Sequence, residues 1–314
     1  MRVLALAFLF VSVALAQPYP GKPIRIVVPS PAGGPSDVGA RVVGEKIAAS
    51  WGQPVVIENR PGGNNIIGTQ VVAKAPPDGY TLLMALDSTL TMHPSLYSNL
   101  PYDPAKDFAP VALAFVSPIV IIADASGPGS VRELLQLAKA NPGKIAFGAG
   151  TLTTRLAGEL LKSQTGTDML IIPYKGSAGT TQGLLSKDVT FTLDGVTTSM
   201  PHIRSGKLKV LANLTQRPIA ALPGLPTFAA ETGIPDFDVS VWLGFVAPAG
   251  TPREIVAKLN QEIVRVLGLP DVKEKLSSIG MEPGSGTPAE FESYIRAETE
   301  KWSRVIKTSG FKAE

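Results

Sequence analysis

The stretch "IRIVVPSPAGGPSDVGARVVGEKIAASW", residues 24–51, decides how the chain is read. Ile24 to Val28 are apolar and largely β-branched apart from Arg25, which favours an extended strand. Pro29, Pro31, Pro35 and the Gly33-Gly34 pair then break the strand, and from Asp37 the spacing turns helical. Strand, glycine loop and helix in that order make a βα unit. A glycine pair at such a junction lets a ligand come close to backbone N–H groups where a helix begins, and that arrangement suits an anion.

The alternation continues outward from this unit. "PVVIE" precedes "IIGTQVVAKA", "YTLLMAL" precedes a loop from Asp87 to Pro94, and "KIAFGAG", "MLIIPY", "DVTFTLD" and "KLKVLANL" lie between helical stretches. "VALAFVSPIVIIA", Val111 to Ala123, reads as core strand interrupted at Ser117-Pro118. Ser130 and Glu133 make a capping box ahead of "SVRELLQLAKA". The last third changes character: Thr251-Pro252-Arg253-Glu254 and Thr287-Pro288-Ala289-Glu290 each place an N-cap, an N1 proline and an N3 glutamate. Ile255, Leu259, Ile263 and Val266 give the first of these helices one apolar face, and Phe291, Tyr294, Ile295, Trp302, Val305 and Ile306 give the second its own.

Composition narrows the function classes. The chain has no cysteine, which excludes a disulfide framework, a thiol nucleophile and Cys-ligated metal, so core burial alone must hold the fold. Its 44% hydrophobic content supplies such a core. "MRVLALAFLFVSVALA", residues 1–16, reads as a secretory signal peptide ending in Ala14-x-Ala16, with the mature chain starting near Gln17. Removing it takes away Arg2 and lowers the formal charge from +3 to +2. No basic run is left to attract nucleic acid, and aromatics at 6% are too sparse for a stacking surface.

A second junction resembles the first in kind: "GAGTLTTR", Gly148 to Arg155, again sets small and hydroxyl residues at a strand-to-helix turn. In open α/β sheets such turns lie beyond the carboxyl ends of the strands, where ligands bind. Carboxylate and phosphate both fit, but neither loop has G-x-x-x-x-G-K-[ST], and Gly148-x-Gly150-x-x-Thr153 lacks the third glycine of a dinucleotide fingerprint. No cofactor is therefore expected. Hydrolytic motifs are also missing: only His93 and His202 exist, His93 is read as a turn residue and His202 as lying near a helix start, and neither G-x-S-x-G nor H-E-x-x-H occurs. No catalytic residue and no metal ligand is assigned. Asp194 ends an alternating strand before a glycine, either as a helix cap or as an acceptor for a ligand hydroxyl or amine. Arg155 either adds charge to the second loop or turns outward.

Eight blocks in order, "YPGKPIRIVVPSPAGGPSD", "GQPVVIENRPGGNN", "APPDGYTLL", "PSLYSNLPYDPAKDFAPV", "ANPGK", "PYKGS", "PHIRSGKLKVLA" and "PAGTPREIVAKLN", resemble the tripartite tricarboxylate transporter receptors, the Bug-type periplasmic solute-binding proteins. The resemblance implies a two-lobed periplasmic-binding-protein-like α/β fold, each lobe a mixed sheet flanked by helices. Its implied bounds are 17–120 for the first part of lobe I, 121–241 for lobe II and 242–314 for a return segment in lobe I. It implies capture of a small mono- or dicarboxylate by lobe closure, delivery to the membrane components of a tripartite tricarboxylate-type transporter, a periplasmic location and a monomer. Enzyme activity on a carboxylated substrate, as a hydrolase or isomerase, and ligand sensing for a signalling partner are the alternatives. By the same resemblance the carboxylate lies on the first loop, with Ser30, Ala32, Gly33, Gly34, Ser36 and Asp37 as its ligand-binding residues. Gly150, Thr151, Thr153, Thr154 and Arg155 hold it from the other lobe, and Ser88, Tyr174, Lys175 and Asp194 complete the set. Ser30 stands where the family often has a bulky aromatic, and Arg155 where a histidine is common.

Overall fold

A computed structural model describes residues 19–216, 218–219, 221–235 and 237–312, so the expected signal peptide lies outside the described residues. The opening βα pattern is realised as β1 (Ile24–Val28), α1 (Pro35–Trp51), β2 (Val55–Asn59), α2 (Ile66–Ala73) and β3 (Thr81–Leu86). Two short helices, α3 (Asp87–Thr91) and α4 (His93–Leu96), lead to the long strand β4 (Phe108–Pro118). β5 (Val120–Asp124) then begins a second set: α5 (Val131–Ala140), β6 (Ala146–Ala149), α6 (Leu152–Thr165), β7 (Leu170–Pro173), α7 (Gly176–Leu185), β8 (Phe191–Asp194), α8 (Val196–Arg204), β9 (Leu208–Asn213) and α9 (Phe228–Thr232). The chain closes with β10 (Ser240–Pro248), α10 (Arg253–Leu267), α11 (Pro270–Ser278), β11 (Glu282–Pro283) and α12 (Pro288–Ser309).

These strands form two mixed sheets, of order β11-β4-β10-β3-β1-β2 and β7-β6-β8-β5-β9. In the first, β1 runs parallel to β2 and β3, while β10 is antiparallel to β3 and β4. In the second, β6 runs parallel to β7 and β8, while β5 is antiparallel to β8 and β9. The apolar run read as one interrupted strand is thus two strands in different sheets. Pro118 ends β4 without an N–H to extend the ladder, and Val120 starts β5 across the gap. Between them the Ile119 carbonyl accepts from the Leu214 N–H at 2.9 Å, and the Leu214 carbonyl accepts from the Val239 N–H at 2.9 Å. The crossings between the sheets are therefore bonded to one another.

Capping signals held where the chemistry is local. Thr287 and Glu290 form a reciprocal capping box on α12, and the Ser130 hydroxyl accepts from the Glu133 N–H. Glu133 itself accepts from the Gly129 N–H, one residue before the cap. Thr251 departs from expectation: its hydroxyl donates to the Pro248 carbonyl at 2.7 Å and α10 begins after Pro252. His202 lies in the last turn of α8, with Pro201 inside that helix, rather than at a helix start.

The return segment also departs from the single-lobe expectation. α12 has 22 residues and is roughly 33 Å long, enough to reach both sheets. Phe291 packs with Trp242 in the core beside the first sheet, whereas Trp302, Val305 and Ile306 pack with Phe147, Leu156 and Leu160 under the second. One amphipathic face serves two cores because the helix is longer than either.

Candidate ligand cleft

The first loop is built around Asp37, in the first turn of α1. Its Oδ2 accepts from the Gly33 N–H at 2.9 Å and from Arg41 Nε at 3.0 Å, and Arg41 Nη2 lies 3.0 Å from Oδ1. Arg41 Nη2 also donates to Asn59, whose side-chain amide donates to the Ser30 carbonyl at 3.1 Å. The Ser30 and Ser36 hydroxyls meet at 2.5 Å. Burial alone would raise the Asp37 carboxyl, but the hydrogen bonds from Arg41, Gly33 and Asn59 outweigh it and hold the group below the usual carboxylate range. Two assignments change as a result. The Gly33 N–H, expected on the ligand, is given to Asp37, and the Asp37 carboxylate clasps the loop.

Gly34 caps α1 with extended geometry, Pro35 follows with no N–H, and Ser36 and Asp37 carry N–H groups that precede the first helical bond. Gly33 adopts φ +82°, which only glycine accommodates without strain, and with Ala32 it lies exposed at the tip. The α2 loop lies against this one: Gly68 approaches Pro29 so closely that a Cβ would fall 2.8 Å from the Pro29 Cα.

The second loop is built around a hydroxyl cap. Thr151 caps α6: its hydroxyl accepts from the Thr154 N–H, and the Thr154 hydroxyl accepts from the Thr151 N–H at 3.0 Å. Thr154 is therefore spent on the cap, leaving the N–H groups of Leu152 and Thr153 in the first turn. Gly150 touches the start of α7, where a Cβ would lie 2.7 Å from the Gly176 carbonyl carbon, and its own carbonyl accepts from the Gly176 N–H at 3.1 Å. Lys175, exposed, occupies the N-cap position of α7.

Three side chains named from sequence are turned to other work. Asp194 is buried and accepts from Ser177 at 2.6 Å, from Thr180 at 2.5 Å and from the Gly195 N–H at 2.8 Å. Burial dominates there and raises its carboxyl despite those three donors. It fixes the first turn of α7. Arg155 stacks its guanidinium over the Phe311 ring at 4.9 Å. Tyr174 lies against Gly148, Gly179 and Gly183, which leave room for its ring, and belongs to the core beside α7.

The residue that sequence reading missed joins the two loops. Asp87, directly after β3, accepts from the Ser88 N–H at 2.6 Å and from the Thr153 hydroxyl at 2.8 Å. β3 is a parallel neighbour of β1, so Asp87 leaves the same sheet edge as the first loop. Its bond to Thr153 brings the α6 N-terminus to that edge. Burial pushes the Asp87 carboxyl up to about 7, opposed by the Thr153 and Ser88 bonds, with Glu298 on α12 raising it and Lys301 lowering it. Ser88, placed in the ligand set by the resemblance, gives its N–H to this carboxyl. Nearby, Tyr102 donates to the Thr89 carbonyl and bonds His93, which burial lowers to about 4 and so keeps neutral. A cavity of about 790 Å³ between α6 and α12 lies away from both loops; its Glu159–Lys162 and Glu298–Lys301 pairs are satisfied within the chain.

Two mixed-sheet lobes linked by paired crossings define a two-lobed solute-binding fold. Residues 39–311 match the tripartite tricarboxylate transporter family receptors, and the chain belongs to that family. Protein BugT of Bordetella pertussis is 36% identical over 99% of this chain and 98% of its own. An R. palustris protein solved with adipate is 35% identical with TM-score 0.79, covering 93% of this chain and 98% of that one. MatC from Rhodopseudomonas palustris, solved with bound malate, is 30% identical with TM-score 0.75, covering 92% and 100%. The chain is a solute-binding receptor and not an enzyme.

Proposed function

We propose that the protein captures a small mono- or dicarboxylate between its lobes and passes it to the membrane components of a tripartite tricarboxylate-type transporter. It works in the periplasm as a monomer, after residues 1–16 are removed. The observation that carries this reading is the Asp87–Thr153 bond, which sets the α6 N-terminus against the edge from which the β1–α1 loop projects. Helix N-termini attract carboxylate through their first-turn N–H groups and the positive end of the dipole, at about 0.3–1 kcal/mol each when exposed and more when desolvated. Ser36, Asp37 and Gly34 on one side, and Leu152, Thr153 and Gly150 on the other, are the backbone donors and close-approach points of the site. Adipate and malate in the related structures support the ligand class.

A thermal-shift screen of mono-, di- and tricarboxylates, including adipate and malate, tests the reading. A true ligand at 100 times its dissociation constant adds about 2.7 kcal/mol to stability. Failure of every carboxylate to raise the melting temperature would overturn the ligand class, and unchanged uptake after gene deletion would overturn the transport role.

A further inference from the structure

We propose that Asp87 and Thr153 form an inter-lobe latch that positions the second loop against the first and sets the balance between open and closed lobes. The proposal rests on the two-lobed receptor reading given above. Asp87 opens α3 directly after β3 of the first sheet, and Thr153 lies in the first turn of α6, after β6 of the second, 66 positions later in sequence. Both are buried, at 2% exposure each, so water does not compete well for the bond between them. Each end is fixed within its own lobe. On the Asp87 side, Ser88 donates its N–H to the same carboxyl, Thr91 donates its hydroxyl to the Asp87 carbonyl at 2.8 Å, and Tyr102 holds Thr89. On the Thr153 side, the Thr151–Thr154 capping box fixes the turn that carries it.

α12 supports the junction from outside. Trp302 donates its indole N–H to Glu298 at 3.0 Å, and Lys301 bonds both Glu298 and the Asp238 carbonyl. Separating the lobes at α3 and α6 therefore breaks a buried hydrogen bond from the Thr153 hydroxyl to the Asp87 carboxyl. Such a bond is lost at a cost that shifts a two-state equilibrium about tenfold or more. Since the backbone donors of the two loops act together only when the lobes are close, the latch governs how much of the receptor is ready to bind.

The chain has no native cysteine, so a cysteine pair can be labelled without side reactions. Val56 and Leu170, 51% and 49% exposed, lie on β2 and β7, the strands farthest from the crossings in each sheet. Val56→Cys and Leu170→Cys carrying spin labels report lobe separation with no ligand present. Thr153→Val keeps the shape and removes the hydroxyl, and Thr153→Ser keeps the hydroxyl. The expected result is a longer, broader distance distribution in Thr153→Val, restored in Thr153→Ser, with Asp87→Asn falling between because its amide keeps one acceptor. Calorimetry with adipate and malate should show about tenfold weaker binding in Thr153→Val and parental binding in Thr153→Ser. A distribution in Thr153→Val that matches the parent, or one in Thr153→Ser as disturbed as in Thr153→Val, overturns the latch. If Thr153→Val does not fold, a parental distribution in Asp87→Asn overturns it instead. Should neither carboxylate bind the parent, the ligand reading fails while the ligand-free distances still decide the latch.

Discussion

The two strand-to-helix loops, at the N-termini of α1 and α6, are held by different means. In the first, a guanidinium and a backbone N–H converge on Asp37 and keep its carboxyl low. In the second, hydroxyls cap α6, and Asp194, which steadies the neighbouring α7, is raised by burial among hydroxyl donors. Packing differs in the same sense. Gly34 has only the Pro31 carbonyl near its missing Cβ, at 3.6 Å, whereas Gly150 is pressed onto backbone. The first loop is clasped but roomy; the second is hydroxyl-capped and close-packed. Charge is thus engaged within the first loop, while the second turn is held by hydroxyls and close backbone packing.

The largest effect should come from breaking the close packing. Gly150→Ala puts a methyl 2.7 Å from the Gly176 carbonyl carbon, and backbone cannot swing aside as a side chain does. The expected loss is about 1–3 kcal/mol of stability, with adipate or malate affinity down more than tenfold, whereas Gly34→Ala stays within about threefold. Calorimetry and thermal unfolding of both variants check this, and equal losses would erase the packing contrast.

Asp37→Asn attacks the clasp and should lower stability by about 1–2 kcal/mol at pH 7, the exposure of Arg41 keeping the figure small. The folded carboxyl titrates below its unfolded value of 3.8, so its contribution is present above 3.8 and lost as pH falls through the folded pKa. Parent and variant should therefore converge in acid, as followed by urea unfolding between pH 3 and pH 7. Curves that stay parallel would mean the clasp is not ionic.

Asp194→Asn tests the other sign and a smaller effect. Because the folded carboxyl is raised above 3.8, the parent loses stability as pH rises from 3.8 through the folded pKa, and the variant lacks that decline. The two should differ by about 1 kcal/mol or less in acid, the variant gaining ground towards neutrality while its preference between adipate and malate stays as in the parent. A changed preference would return Asp194 to the ligand.

The smallest effect belongs to Arg155→Gln. With its guanidinium on Phe311, the side chain contributes about 0.5–1 kcal/mol of stability and little to binding, so affinities should remain within about twofold. A selective loss of dicarboxylate binding would show that the residue turns into the cleft after all.

How much of this was legible depends on the range of the interaction. The i,i+4 spacing of Asp37 and Arg41 is a local helix pair, and that signal for the clasp lay in the sequence unread. Thr287 and Glu290 announce the start of α12, because a capping box needs only four consecutive residues. The glycine and hydroxyl loops likewise mark their own strand-to-helix turns. By contrast, nothing near Asp87 points to Thr153, and nothing near Arg155 points to Phe311.

The sequence by itself determined most of the strands and helices, the Ser130 and Thr287 caps and the two loops, because dihedral preferences, side-chain periodicity and capping act within a few residues. Only the tertiary structure decided which sheet each strand joined across Pro118, which core each end of α12 filled, and which donors were already consumed. Those outcomes turn on pairings tens of residues apart, where the same Asp, Arg or Tyr meets a solute, a helix cap or a packed ring according to what the fold brings beside it.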